Sequence, residues 1–207
     1  MDTKEKILDA AMSLFSEKGY ADVFMAEIAE RVGIKAPSIY KHYKGKKEIF
    51  EAILAKMKQD YDKQAAALSI DGNDAAADGA VYLGKSEEEI LKMGMGLFMY
   101  FIHDEYVCKF RKMLTVQQFN DKELAEIFSA QYADDPLNYQ SALFALLMSE
   151  GAFKEADPAV TALQFYGPLF MLMTMYDRQP EREQELAALA EKHIRQFTKL
   201  YRKEEKS

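Results

Sequence analysis

Between residues 31 and 47 the chain reads RVGIKAPSIYKHYKGKK, with six cations and no acid, in a protein of 207 residues whose net charge is -7. Arg31, Lys35, Lys41, Lys44, Lys46 and Lys47 make a local positive face on an acidic chain. Such a face suits a polyanion, because each cation set against a phosphate releases a condensed counterion. Charge alone weighs this evenly against a solvated surface run. The apolar frame around the charges tips the balance. Met25, Ile28, Ala29 and Val32 recur at helical spacing, and Gly33 can take the positive φ that ends a helix. Ala36 to His42 read as a second short helix, with Pro37 in its first turn and Ile39 pointing to a shared core. Two helices joined by a tight glycine turn, at about residues 24–43, place the second for entry into the DNA major groove.

Other chemistry is sparse. His42, His103 and His193 are scattered, and no metal, nucleophile-elbow or phosphate-loop motif occurs. Gly94-Met95-Gly96 follows no strand and lies inside a helical pattern. The single cysteine, Cys108, cannot form an intramolecular disulfide and reads as a small core residue beside Tyr106 and Phe110. The N-terminus shows no signal-peptide pattern, and no apolar run approaches the roughly 20 residues of a membrane span. A cytoplasmic protein is expected, with no enzyme activity, cofactor, metal site or membrane contact.

The elements that must position the basic segment are all helical. Periodicity predicts a helix at about 3–18, the two short helices, and a long helix from Lys46. Gly72, Asn73, Gly79 and Gly84 mark residues 69–85 as a loop or hinge. Ser86 with Glu89 is a capping box that opens a helix to about His103. Further helices are predicted at about 105–118, 121–132, 136–150, 158–176 and 181–203. Asp135-Pro136 and Asp157-Pro158 each read as an N-cap and first-turn proline. The C-terminal part is rich in Met and aromatic residues, most of them core. An adaptable apolar pocket is the functional alternative, with Phe98, Phe101, His103, Met113, Met148 and Phe165 as its candidate lining. The last two helices are apolar enough to build a twofold four-helix bundle.

Three blocks then carry a resemblance. They are Ile7-x-x-Ala10-Ala11-x-x-Leu14-Phe15-x-x-x-Gly19-Tyr20, Ile28-Ala29-x-x-x-Gly33-Ile34, and Ser38-Ile39-Tyr40-x-His42-Tyr43-x-x-Lys46. Over about residues 4–54 this resembles the N-terminal DNA-binding domain of the TetR (tetracycline-repressor-like) family. Beyond residue 60 the likeness is architectural only. The resemblance implies an all-α fold: a three-helix helix-turn-helix head over 1–60 and a larger helical ligand-binding and dimerisation domain over 61–207. It also implies a homodimeric repressor on a double-stranded DNA operator, released by a small molecule, here apolar or aromatic. Tyr40 and Lys46 match phosphate-contacting positions. Lys35, Ala36, Ser38 and Lys41 are placed to read or approach bases, and His42 joins the DNA-contacting set. Two positions depart from the pattern. Val23 and Phe24 stand where a capping hydroxyl is usual, leaving Asp22 as the nearest acidic cap, and Lys35 replaces a serine. The missing hydroxyl is the one feature favouring an alternative, a helical small-molecule carrier or enzyme that has lost DNA binding.

Overall fold

A computed structural model describes residues 2–203; residues 204–207 of the expected second domain lie outside the described residues. Among the described residues eleven α-helices account for the fold, and extended pairing is limited to one isolated bridge, Phe153 with Arg202. The chain divides into two compact units. The first holds the described residues up to Tyr61 together with Asp104–Phe128, and the second holds Asp62–His103 with the described residues from Ser129 on. Residues 104–128, which the linear reading assigns to the C-terminal domain, therefore pack with the head.

In the first unit, α1 (Thr3–Lys18) opens on a capping box: Asp2 accepts from Glu5 N and Glu5 accepts from Asp2 N, each at 2.8 Å. It ends at Gly19 with φ 88°. Its apolar stripe, Ile7, Ala11, Leu14 and Phe15, is buried with Val23, Ile28, Ala29, Ile39, Ile49, Phe50 and Ile53. These residues lie on α2 (Met25–Val32), α3 (Ala36–Ile39) and α4 (Lys46–Ala67), apart from Val23 in the turn before α2. Phe15, Tyr20 and Phe50 form a ring cluster with centroids 5.0–6.4 Å apart. Beyond the three-helix head, α7 (Glu105–Gln117) packs on α1. The Tyr106 hydroxyl donates to Asp9, and Lys109 Nζ donates to Ser13 Oγ at 2.9 Å. Burial and the Asp9 carboxylate push the Tyr106 hydroxyl well above the usual tyrosine range. The short α8 (Lys122–Ser129) completes the unit.

The second unit contains α5 (Ala75–Leu83), α6 (Glu87–His103), α9 (Asp135–Ser149), α10 (Pro158–Arg178) and α11 (Glu183–Tyr201). Helix α5 corrects the expected loop at 69–85. Asp74 caps it by accepting from Ala76 N and Ala77 N at 2.9 and 3.1 Å. The buried Asp78 carboxylate ties down the preceding turn, accepting from Asp71 N, Gly72 N and the Tyr139 hydroxyl. Gly79 sits inside the helix because Leu146 packs on it; a Cβ there would come 2.5 Å from Leu146 Cδ2. The capping box at Ser86 and Glu89 forms as expected, with reciprocal bonds of 2.9 and 3.3 Å.

Asp135 is not an N-cap. A five-residue π-turn, Ala130–Asp134, joins α8 directly to α9. Pro136 supplies no N–H to the Tyr132 carbonyl one helical turn earlier, and the Tyr166 hydroxyl donates to that carbonyl instead, at 3.1 Å. Asp157 does cap α10, accepting from Ala159 N and Val160 N at 2.9 and 3.0 Å. Pro168 lies inside α10. His193 Nε2 stands 2.8 Å from the Phe165 carbonyl beside this proline, which calls for the Nε2–H tautomer. Leu91, Phe98, Ile102, Leu169, Leu172, Leu186, Ala190 and Ile194 form one apolar cluster. Leu143, Phe144, Leu147, Met148, Phe153, Ala162 and Phe197 form another.

Candidate nucleic-acid interface

The head assembles from a short chain of local requirements. Helix α2 stops at Gly33, whose φ 79° and ψ 27° are left-handed. Gly33 N donates to Glu30 O at 3.0 Å and Ile34 N to Ala29 O at 2.9 Å, closing the helix end. A Cβ on Gly33 would touch nothing within 4 Å, so the position asks for the positive φ and not for space. Ile34 then leads to Lys35, extended at φ -70° and ψ 140°, whose carbonyl accepts from Ser38 N at 2.7 Å.

The second helix is shorter than its periodicity predicts. It is one α turn, Ala36–Ile39, followed by tight turns in which Lys41 N donates to Ser38 O and both His42 N and Tyr43 N donate to Ile39 O. Ile39 and Tyr43 are both buried, at 0% and 7% exposure, so the tight turns keep both side chains on the core side. Glu48 receives Lys44 N across the start of α4.

This turn presents a definite face. Lys35, Ala36, Pro37 and Lys41 are exposed, and Tyr40 is 55% exposed. Ser38 and His42 are half-buried. Three of the six cations are engaged elsewhere. Arg31 pairs with Glu17 at 2.9 Å, and this pairing holds the Glu17 carboxyl below its usual range. Lys47 lies 3.7 Å from Glu123. Lys46 Nζ donates to the carbonyls of Tyr20 and Ala21 at 2.6 and 3.0 Å and stands over the Tyr20 ring at 4.5 Å. Partial burial lowers its affinity for the proton, against the nearby charges of Asp22 and Glu27. Lys35, Lys41 and Lys44 have no ion-pair partner among the described residues. Lys44 belongs to the basic run but is absent from the DNA-contacting set read from the sequence; its place in the run was the available signal.

The start of α2 also differs from expectation. Glu27, not Asp22, closes it, accepting from Phe24 N at 2.9 Å while pairing with Lys18 at 2.6 Å. Phe24 itself is 68% exposed.

Within the second unit the expected ligand-lining residues divide between two apolar clusters that Phe165 joins. Phe98 is buried in one cluster of the second unit, with Phe101 packed against it. Met148 belongs to the other cluster, and Phe165 packs against both. His103 is exposed at the end of α6 and lies 3.0 Å from Glu183. Met113 is buried on α7, in the first unit. Further rings accompany them: the buried Tyr132 and the half-buried Tyr166 each stack on Phe170, with centroids 6.0 and 5.9 Å away. Among the described residues no group of His, Cys, Asp and Glu could hold a metal ion, and no helix is long and apolar enough to cross a membrane.

A three-helix head with a glycine turn and a lysine-edged second helix defines a helix-turn-helix domain. Residues 7–53 match the family of bacterial regulatory proteins called the tetR family. The chain is 50% identical over 48 residues to the biofilm operon icaADBC HTH-type negative transcriptional regulator IcaR of Staphylococcus aureus, covering 23% of this chain and 26% of that protein. The Staphylococcus epidermidis IcaR is 49% identical over 47 residues, 23% of this chain and 25% of that protein. The match thus spans about a quarter of the curated relatives' length. SmeT, the repressor of the Stenotrophomonas maltophilia multidrug efflux pump SmeDEF, shares the fold at TM-score 0.65 and 21% identity, over 99% of this chain and 93% of SmeT. The SmeT-triclosan complex aligns at TM-score 0.69 and 22% identity, over 99% and 94% of the two chains. A TetR-family regulator from Mesorhizobium loti gives 0.66 and 20%, over 97% of each chain. Residues 7–53 are thus similar to the DNA-binding domain of the tetR family, and the whole chain shares the fold of solved regulators with an N-terminal helix-turn-helix domain and a larger all-helical C-terminal part.

Proposed function

We propose that this chain is a DNA-binding transcriptional repressor, dimeric on its operator and released from it by an apolar or aromatic small molecule. The observation that carries the reading is the set of exposed lysines without ion-pair partners, Lys35, Lys41 and Lys44, flanking a one-turn helix in a head with a buried core. Such lysines gain most from phosphates, because no internal ion pair must be broken first. Lys35, Ala36, Ser38 and Lys41 approach base edges, while Tyr40, His42, Lys44 and the third donor of Lys46 meet the backbone. IcaR is described as a negative regulator and SmeT as a repressor, and both likenesses support this direction of control.

The test is binding to DNA upstream of the protein's own gene, measured across salt concentrations. The expected result is a straight fall of log affinity against log salt, with a slope corresponding to several phosphate contacts. Absence of salt-sensitive binding there, and on a randomised DNA library, would overturn the reading.

Release follows from geometry. Two heads of a dimer occupy half-sites about one helical turn apart, roughly 34–36 Å. A ligand that prefers the wrong separation by about 2.7 kcal/mol shifts the equilibrium a hundredfold. Phe98, Phe101, Phe165 and Met148 in the second unit are the proposed apolar lining. SmeT is known in complex with triclosan, which makes triclosan a rational first compound in a thermal-shift screen. If several strong binders leave operator affinity unchanged, release by ligand is wrong even though DNA binding stands.

A further inference from the structure

We propose that Phe24 is a DNA-contacting residue whose ring lies against the sugar edge of the operator backbone and supplies affinity that salt does not remove. The inference rests on the DNA-binding reading above. Phe24 is 68% exposed, in a head whose other phenylalanines, Phe15 and Phe50, are at 0% and 6%. It directly precedes α2, the helix that crosses the DNA backbone in a helix-turn-helix.

A phosphate is poorly served at this spot. The N–H of Phe24 is taken by Glu27, the side chain offers no hydroxyl, and Asp22 and Glu27 place negative charge nearby. Of the cations at this edge, Lys18 is paired with Glu27, and the adjoining turn carries the Lys46 ammonium on the carbonyls of Tyr20 and Ala21. A backbone held by Lys46 at one phosphate therefore presents to Phe24 the less polar surface between phosphates, the deoxyribose. An exposed aromatic ring gains by covering that surface, and the gain comes from apolar area removed from water, with no counterion released.

The experiment measures affinity for a DNA sequence selected by the wild-type protein, at several salt concentrations, in the full chain. Phe24→Ala is expected to bind about tenfold more weakly at every salt concentration, with the log–log slope unchanged. Phe24→Leu should recover most of the loss. Phe119→Ala, which alters the other strongly exposed phenylalanine of this unit (84%), should bind as wild type. Replacing Phe24 with a photo-crosslinking benzophenone amino acid should give ultraviolet crosslinks to the labelled duplex, a readout that does not depend on a change in stability. Unchanged affinity of Phe24→Ala, a changed slope, an equal loss in Phe119→Ala, or no crosslink would each overturn the inference. If the wild type shows no salt-sensitive binding at all, the DNA-binding reading falls first and this contact with it.

Discussion

At Lys44 the ammonium is exposed and has no ion-pair partner, while Lys47, three residues on, is opposite Glu123. This difference separates cations that can answer to phosphate from those that answer to the protein. Lys44→Ala should reduce the log–log salt slope of DNA binding by about 0.9, whereas Arg31→Ala should leave it unchanged. Equal slopes for Lys44→Ala and wild type would remove Lys44 from the interface. Lys41, exposed on the turn that follows α3, should instead change preference across a randomised operator library when replaced by Ala. Uniform weakening would deny it base contact. Lys46 carries a second role. Its two bonds to backbone carbonyls fasten the turn at Tyr20 and Ala21 to α4. Lys46→Met should therefore destabilise the protein by about 1–2 kcal/mol as well as weaken DNA binding, and thermal unfolding reads the first effect independently of DNA. An unchanged unfolding midpoint would show that the carbonyl contacts contribute nothing. The positive run was legible because its residues are consecutive. Its partial neutralisation was not, because Glu17 and Glu123 reach it only through the fold.

Among the elements, the head was the most legible part. Its helices are set by short-range signals: a capping box at Asp2 and Glu5, glycine stops, and apolar residues at helical spacing. The second unit misled where long-range packing overrode local composition. Four turn-forming residues within 69–85 read as a loop, yet α5 forms there, capped by Asp74, and Gly79 leaves the space that Leu146 fills. Asp135-Pro136 read as a helix start, yet the backbone carries on through a π-turn, where the Tyr166 hydroxyl of α10 donates to the Tyr132 carbonyl that Pro136 cannot serve. Tyr166→Phe tests this account. It keeps the ring on Phe170 and removes only the hydroxyl donated to Tyr132. The expected cost is about 0.5–1.5 kcal/mol, the net contribution of one hydrogen bond, seen as a fall in the thermal midpoint. An unchanged midpoint would mean that the hydroxyl is not what stabilises the π-turn.

For the whole molecule, the informative surface is the one a single chain leaves exposed. Helix α10 is apolar almost all round, which predicts burial on several sides. In one chain Val160, Leu163 and Met171 remain 50–57% exposed, and Gly167 on the same helix leaves open space where a side chain would stand. Residues 160, 163, 167, 171 and 174 share one face at helical spacing. Leu189 and Leu200 on α11 are exposed at 42% and 56%. A second copy covering this face by a twofold axis would bury the same residues on both chains, and the small residue Gly167 would let the two α10 helices approach closely. The paired substitution Leu163→Glu with Met171→Glu should then convert a particle of twice the chain's 23.7 kDa into one of a single chain mass, by light scattering at micromolar concentration. Both positions are exposed in the single chain, so its fold should survive. Operator affinity should fall by about a hundredfold or more, because each head would bind its half-site without the effective concentration the other head supplies. A wild-type particle of one chain mass would remove the dimer from this reading, and a doubly substituted dimer would move the interface away from α10.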